Sequence, residues 1–126
     1  MTIPENLQYT KEHEWIRVES GFGWIGITEY AHGELGDIVY VELPPVGTAV
    51  QQGKTFGTIE AVKAVSDLYA PVSGEVVEIN KGVQDHPESV NKDPYNNGWM
   101  VKIRLTNTAE AAGLLSAAAY SALIGK

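Results

Sequence analysis

The sequence contains no cysteine among its 126 residues. Disulfides, a cysteine nucleophile and thiolate metal sites are therefore excluded, and any thiol redox chemistry has to come from an attached cofactor. Basic residues are few, since nine Lys and Arg stand against sixteen Asp and Glu, for a formal net charge of −7. This balance argues against nucleic-acid binding, which needs a basic surface, and favours transient docking onto less acidic proteins.

Long apolar runs and targeting signals are also missing. No apolar run approaches the length of a membrane span, so no membrane association is predicted. Residues 1–8 have neither the apolar core of a secretory signal nor the Arg-rich, acid-poor character of a transit peptide. We expect a cytoplasmic protein; a mature mitochondrial form is the alternative, which the retained Met1 disfavours. The length suits one domain, spanning residues 1–126, with a core of its own.

The most informative stretch is residues 57–74, where two β-type runs meet around Lys63 and a Pro-x-x-Gly turn follows. We place this lysine hairpin at about residues 54–70. Lysine is almost never fully buried without a partner, so Lys63 is predicted to be exposed at the bend. A lysine amine is normally protonated and a poor nucleophile at neutral pH, and the neighbouring Glu60 and Asp67 favour that charged form. Lys63 is therefore interpreted as a site of covalent modification, with a solvated surface lysine as the alternative.

Strand patterns fill most of the remaining sequence. The runs at 15–18 and 22–27 predict a β-hairpin, and residues 37–43 predict a strand with both faces largely covered. A further strand is predicted at 75–79. The clearest period-two pattern lies at 99–106, where one face is apolar and inward (Trp99, Val101, Ile103, Leu105) and the other outward (Met100, Lys102, Arg104, Thr106).

Helix signals occur in the middle and at the C-terminus. Thr28 is predicted to cap a short helix that ends before Gly36. Residues 108–124 form a predicted helical segment. Within it, Ser116 is predicted to cap a helix that turns three side chains inward, namely Tyr120, Leu123 and Ile124.

Candidate metal ligands are scattered. His13, His32 and His86 lie in three separate segments without a ligand spacing, so no metal site is predicted. An alternative role for His13 and His32 is to line, together with Glu14, a surface groove that shelters a modified arm. No role in metal binding is assigned to His86.

Other chemistry-bearing patterns are weak. Glu12 and Glu14 would share one face of a strand, but without the setting of a general acid. The tryptophans lie in strand patterns and are predicted to pack in the core; they are Trp15, Trp24 and Trp99. No phosphate-binding glycine loop and no nucleophile elbow is present, so no catalytic residue is predicted and an enzyme is the least favoured class.

The lysine stretch resembles the lipoyl-lysine hairpin of the glycine cleavage system H-protein family. The resemblance lies in Glu60-Ala61-Val62-Lys63-Ala64, in Ser66-Asp67 and in the run 70–76, and it extends over about residues 9–123. The family commonly has serine where this chain has Ala61. Biotin carriers usually flank their lysine with methionine, and lipoyl domains of 2-oxo acid dehydrogenases usually place an acidic residue before it. Val62 departs from both patterns, and Ala64 departs from the first.

The resemblance implies a mostly β protein of the barrel-sandwich hybrid type, like lipoyl and biotinyl carriers, with short helices in the middle and at the C-terminus. It implies that Lys63 carries lipoic acid as an amide and that the protein is a carrier, not an enzyme. The surrounding residues would be read by a lipoate-attaching enzyme and by partner proteins; they are Glu60, Ala61, Val62, Ala64 and Asp67.

The family role also implies three partners. A pyridoxal-phosphate glycine decarboxylase (P protein) would load the aminomethyl group. A tetrahydrofolate-dependent aminomethyltransferase (T protein) would remove the one-carbon unit, and dihydrolipoyl dehydrogenase (L protein) would reoxidise the arm. Tethering keeps the intermediate at a high effective concentration at each partner. Two alternatives stay open: a lipoyl or biotinyl carrier, or a lipoate relay, for another complex, and an unmodified structural β-domain.

Overall fold

A computed structural model describes all residues from 1 to 126, and short β-strands are its main elements. The nine strands are β1 (Gln8–Tyr9), β2 (Glu14–Glu19), β3 (Phe22–Ile27), β4 (Ile38–Glu42), β5 (Ala49–Val50), β6 (Thr55–Ala61), β7 (Val65–Tyr69), β8 (Gly74–Ile79) and β9 (Val101–Leu105). The α-helices are α1 (Glu29–Leu35), α2 (Lys81–Asp85), α3 (Ser89–Lys92) and α4 (Ala117–Ile124), and a 3₁₀ helix precedes α4 at Thr108–Gly113.

The strands form two antiparallel sheets. The larger sheet has the order β1-β2-β3-β9-β8-β5, and the smaller one has the order β4-β6-β7. Eighteen buried residues form the main core, to which both sheets contribute, for example Ile16 and Val76 from the larger and Ile59 and Leu68 from the smaller. The arrangement is a sandwich that does not close into a barrel. The predicted fold, mostly β with short helices, is thereby confirmed.

A second, smaller core joins the two ends of the chain. It contains Leu7, Tyr9, Trp15 and Tyr120, all at most 6% exposed. Tyr9 also exchanges two backbone hydrogen bonds of 2.8 Å with Leu115. The rings of Tyr9 and Tyr120 stack with their centroids 4.7 Å apart. The first strand and the last helix therefore stabilise each other.

Local signals placed the helix starts correctly. The Thr28 hydroxyl accepts a hydrogen bond from Ala31 N at 3.2 Å at the start of α1, and Gly36 caps its end. The Ser116 hydroxyl accepts one from Ala119 N at 3.1 Å at the start of α4. The predicted β2–β3 hairpin is also present. Each of these signals acts within a few residues, so the sequence alone carries it.

Strand β4 was predicted to be covered on both faces, and this is wrong. Ile38 and Val41 are buried, but Val39 is 52% and Tyr40 is 46% exposed. The register against β6 shifts between Ile38 and Tyr40, and no element covers the outer face of the small sheet there. Apolar β-branched and aromatic residues favour strands without fixing how many faces are buried.

Two other predictions were wrong about which way side chains point. Met100 was predicted to face outward, but it precedes β9 and its side chain is fully buried in the main core. Leu123 was predicted to face inward, but it is 51% exposed, because Tyr120 and Ile124, four residues apart, occupy the inner side of α4. From Val101 onward β9 alternates as predicted.

All three tryptophans contribute to the smaller core, as predicted, but they are buried to different degrees. Trp15 is buried, as predicted, whereas Trp24 and Trp99 are only half-buried. Trp24 lies on the outer face of the large sheet, with Arg17 Cζ 4.5 Å and Lys102 Nζ 4.7 Å from its ring centre. Both cations lie over the indole ring, and Trp24 also packs against the smaller core as a half-buried side chain.

Candidate functional site

Lys63 lies at the tip of the hairpin formed by β6 and β7. Val62, Lys63 and Ala64 connect the two strands, and all three are exposed. Ala61 N donates a hydrogen bond of 2.8 Å to Ala64 O, which closes the bend. None of the three ion pairs in the structure involves Lys63. The lysine amine is therefore presented without a partner that would hold it.

The bend rests on the junction between α1 and β4. Val62 N donates a 3.0 Å hydrogen bond to Asp37 O. The stem of Lys63 lies over Gly36, since a Cβ placed on that glycine would be 3.6 Å from Lys63 Cδ. Gly36 has a φ of 88°, a conformation that glycine adopts readily and other residues adopt only with strain. The junction therefore supports the aliphatic stem of Lys63, while its amine makes no contact with a partner.

Two rows of side chains run across the outer face of the small sheet. Residues that pair across antiparallel strands point to the same face, as do residues two apart on one strand. The register aligns Tyr40 with Glu60 and Val65, and Glu42 with Thr58 and Asp67. We call these six residues the outer face of the hairpin sheet: Tyr40, Glu42, Thr58, Glu60, Val65 and Asp67. All but Thr58 are exposed.

The predicted recognition residues fall into three positions. Val62 and Ala64 flank Lys63 at the tip, and Val62 is 73% exposed. Glu60 and Asp67 lie on the outer face of the hairpin sheet. Ala61 is half-buried and pairs with Ile38 of β4. The first four side chains are thus accessible to another protein, whereas that of Ala61 packs against the fold.

A groove of about 500 Å³ lies at the other end of β7. The loop before β2, the end of β7 and the chain after the 3₁₀ helix line it, with Tyr9, Thr10, Glu12, Glu14, Tyr69 and Leu115 among its residues. Glu12 lies in the loop and not on β2, so the prediction that it shares a strand face with Glu14 is wrong. Both residues nevertheless line the groove.

Glu14 is the unusual titratable group in this groove. Its side chain is 1% exposed, and its two carboxyl oxygens accept hydrogen bonds from the Thr10 hydroxyl at 2.6 Å and from Tyr69 N at 3.3 Å. Burial raises its pKa to about 7, although both hydrogen bonds oppose the rise. A carboxyl group with this pKa exchanges its proton at neutral pH and can pair with a cationic group in the groove.

The histidines lie outside the groove. The predicted grouping of His13 and His32 with Glu14 along one groove is therefore wrong for both histidines. His13 Nδ1 lies 2.9 Å from the Tyr120 hydroxyl, and its ring packs 4.9 Å from that of Tyr30, so the side chain turns away from the groove. Burial lowers the pKa of both histidines. No group of three or more His, Asp or Glu residues is placed to hold a metal ion.

Comparison with known proteins places the chain in a family. The sequence model described as "Glycine cleavage H-protein" matches residues 7–126. The chain belongs to the glycine cleavage H-protein family. The resemblance found around Lys63 is thereby confirmed, and the family identifies the chain as a non-catalytic carrier protein. None of its helices is long and apolar enough to span a membrane.

Full-length relatives support the same membership. The H-protein family includes proteins named glycine cleavage system H protein from Staphylococcus saprophyticus (54% identical) and Staphylococcus haemolyticus (55%), each aligned over all of both chains. A protein of the same name from Bacteroides thetaiotaomicron is 51% identical over 98% of each chain. The crystal structure of a glycine cleavage system H protein from Mycobacterium marinum aligns with a TM-score of 0.92 and 39% identity, covering 98% of this chain and 100% of that one.

Proposed function

We propose that this H-protein family member carries lipoic acid as an amide on Lys63 and serves the glycine cleavage system. The observation that carries the proposal is the unpartnered, exposed lysine at the hairpin tip, supported from below by Gly36 and Asp37. An attaching enzyme needs a free amine that stands clear of the fold, and Lys63 fits that need. In this proposal residues 1–126 act as one lipoyl-carrier domain, with the hairpin at about 54–70 and the C-terminal helical segment at about 108–124.

The lipoyl group, when bound, would supply a dithiolane that accepts electrons and a transferred group. The protein contributes the position of the attachment site, Lys63. The hairpin is anchored in the main core by Ile59 and Leu68, so its tip projects from a rigid sheet. A tethered group reaches several partners at a high effective concentration without diffusing away. Because the lipoyl group and the partner enzymes would supply the chemistry, the chain needs no catalytic residues of its own.

The outer face of the hairpin sheet is the proposed docking surface for the P, T and L proteins and for the lipoate-attaching enzyme. It combines exposed apolar side chains, Tyr40 and Val65, with the carboxylates of Glu42, Glu60 and Asp67. Apolar contacts with a charged surround suit a brief but specific encounter, and the carboxylates favour partners with basic side chains. This face adjoins Lys63, so a protein docked there is next to the arm.

The groove beside Glu14 is the proposed resting place for the end of the loaded arm. A buried carboxyl group with a pKa of about 7 is costly to ionise alone, but a cationic amine beside it would favour the carboxylate. Tyr69 lines the groove at the end of β7, and that strand begins next to the bend that holds Lys63. A flexible arm would therefore fold back along β7 toward Glu14.

The test is intact and peptide mass analysis after co-expression with a lipoate ligase in the presence of lipoate. We expect one lipoyl addition on the Lys63 peptide, absent in Lys63→Arg and present in the control Lys54→Arg, which changes a lysine before β6. Biotin with its own ligase should add nothing. Glycine-dependent reduction of the arm by a P protein is expected next.

The failures separate the alternatives. A wild-type chain that stays unmodified would favour the unmodified structural β-domain. A lipoylated chain that a P protein and glycine do not reduce would favour a carrier or lipoate relay for another complex. The cytoplasmic location predicted from the sequence stays a prediction.

A further inference from the structure

One side chain, that of Asn91, makes hydrogen bonds to the α1–β4 junction that contacts Lys63. Asn91 lies in α3, more than fifty residues from the junction in sequence. Its Nδ2 donates a 3.1 Å hydrogen bond to Gly36 O, and its Oδ1 accepts a 2.9 Å hydrogen bond from Ile38 N. One side chain thus binds the backbone on both sides of Asp37. This arrangement fixes the peptide groups around Asp37 more firmly than either hydrogen bond alone.

The backbone that Asn91 holds is the backbone that the lysine bend contacts. Asp37 O accepts the hydrogen bond from Val62 N, and Gly36 supports the stem of Lys63. The side chains of Val62, Lys63 and Ala64 are all exposed, so packing of these side chains contributes little to holding the bend in one conformation. The bond to the junction ties the bend to the rest of the fold.

We propose that Asn91 is a positioning residue for Lys63: it clamps the α1–β4 junction and so keeps the lysine bend in the conformation that a lipoate-attaching enzyme binds. The inference rests on the proposed lipoylation of Lys63. It adds a recognition element outside the hairpin sequence, since the enzyme would depend on a residue in α3 that it need not touch.

The clamp acts through the population of the binding-competent bend. An enzyme that accepts one conformation of the bend has its apparent affinity reduced in proportion to the fraction of time spent in that conformation. Loss of the clamp lowers this fraction without altering the amine or the residues beside it. The expected result is a raised KM for lipoylation with an unchanged kcat, because the bound complex is the same once formed.

The test compares Asn91→Ala and Asn91→Asp with wild type and with the control Asn96→Ala. Asn96 lies in the following loop, and its side chain bonds only to Asp93 Oδ1, at 3.3 Å. Asn91→Asp keeps an acceptor for Ile38 N but loses the donor to Gly36 O. Lipoylation kinetics with a purified ligase, ATP and lipoate are measured by mass analysis. Hydrogen exchange of the Val62 amide is measured by NMR on the unmodified protein, and thermal unfolding confirms that each variant is folded at the assay temperature.

For Asn91→Ala we expect a KM about ten-fold higher with kcat unchanged, which corresponds to a competent fraction of about one in ten. Exchange of the Val62 amide should accelerate, Asn91→Asp should show the same two changes because a carboxylate oxygen would then face Gly36 O, and Asn96→Ala should match wild type. If Asn91→Ala is not folded at the assay temperature, Asn91→Asp decides the question by the same two readouts.

A folded Asn91→Ala variant with wild-type KM would overturn the proposal. So would a raised KM with unchanged Val62 exchange, because the effect would then not pass through the junction. The proposed function fails separately, if wild type itself is not lipoylated. In that case Val62 exchange still shows whether Asn91 holds the bend.

Discussion

The Thr10 hydroxyl donates a 2.6 Å hydrogen bond to Glu14 Oε1, and its oxygen also accepts from the backbone N–H groups of Glu12 and Glu14, each at 3.2 Å. This one hydroxyl therefore shapes the loop before β2 and orients the buried carboxyl group. The Glu14 side chain depends on a residue four positions earlier for its place in the groove.

Replacing Thr10 with valine should raise the pKa of Glu14 further above about 7. The change removes a hydrogen bond that favours the charged carboxylate, while burial continues to disfavour it. The measurement is an NMR pH titration of the Glu14 side-chain carboxyl carbon. Thr48→Val is the matched control, because the Thr48 hydroxyl bonds to Pro45 O and does not contact Glu14. An unchanged or lowered pKa in Thr10→Val would contradict the assigned role.

Glu14 should also make the folded protein less stable as the pH rises. Its pKa is raised from an ordinary 4.5 to about 7, so the folded state binds a proton that the unfolded chain releases earlier. The stabilisation is fully present below about pH 4.5 and is lost as the pH passes through 7, a change of about 3 kcal/mol.

The check on this pH dependence is urea unfolding of wild type and Glu14→Gln between pH 4.5 and 8. The difference between the two free energies of unfolding isolates Glu14, because contributions from His13, His32 and the other acids largely cancel. We expect wild type to lose stability relative to Glu14→Gln across this range. A difference that does not change with pH would show that Glu14 titrates normally.

Tyr120→Phe should lower the free energy of unfolding by about 1–3 kcal/mol, the range for leaving buried polar partners unpaired. The substitution keeps the ring stacked on Tyr9 but removes a hydroxyl that lies 2.8 Å from Thr28 Oγ1 and 2.9 Å from His13 Nδ1. Denaturant unfolding measures the loss. Tyr30→Phe serves as the control, with an expected change within about 0.5 kcal/mol. Equal effects of the two substitutions would refute the hydroxyl's role.

Val65→Ser should weaken partner docking without weakening the fold. Val65 is 66% exposed on the outer face of the hairpin sheet, so its loss changes stability by no more than about 0.5 kcal/mol. If it contributes about 1 kcal/mol to docking, the KM of a P protein for the lipoylated chain should rise about five-fold. Val46→Ser, which is 60% exposed in the turn after β4, is the control. A KM unchanged by Val65→Ser would remove that residue from the docking surface.

The sequence predicted well what short-range chemistry decides. The Thr28 and Ser116 caps, the alternation of β9 and the exposure of Lys63 depend on neighbours in sequence, and the structure has all of them. The family resemblance supplied the fold class, which spacing alone did not. Burial predicted from an apolar pattern was less accurate. Tyr40 is exposed, because the burial of a strand residue depends on whether another element packs on that face of the sheet.

The relationships around the site could not be predicted, because they join distant parts of the chain. Asn91 reaches Gly36 across 55 positions, and Tyr120 reaches His13 across 107. The Glu14 carboxyl group likewise accepts a hydrogen bond from Tyr69 N, 55 positions away. Periodicity describes one element at a time, whereas each of these contacts requires the relative placement of two elements.

The place of Tyr120 near the C-terminus has a consequence for biosynthesis. The buried members of the main core extend only to Leu105, so they have all been synthesised before the final helix. The small core that contains Tyr9 also requires Tyr120, which follows every one of those residues in the chain and is therefore synthesised after them. The strands that present Lys63 are therefore synthesised before the residue that completes the small core beside Glu14.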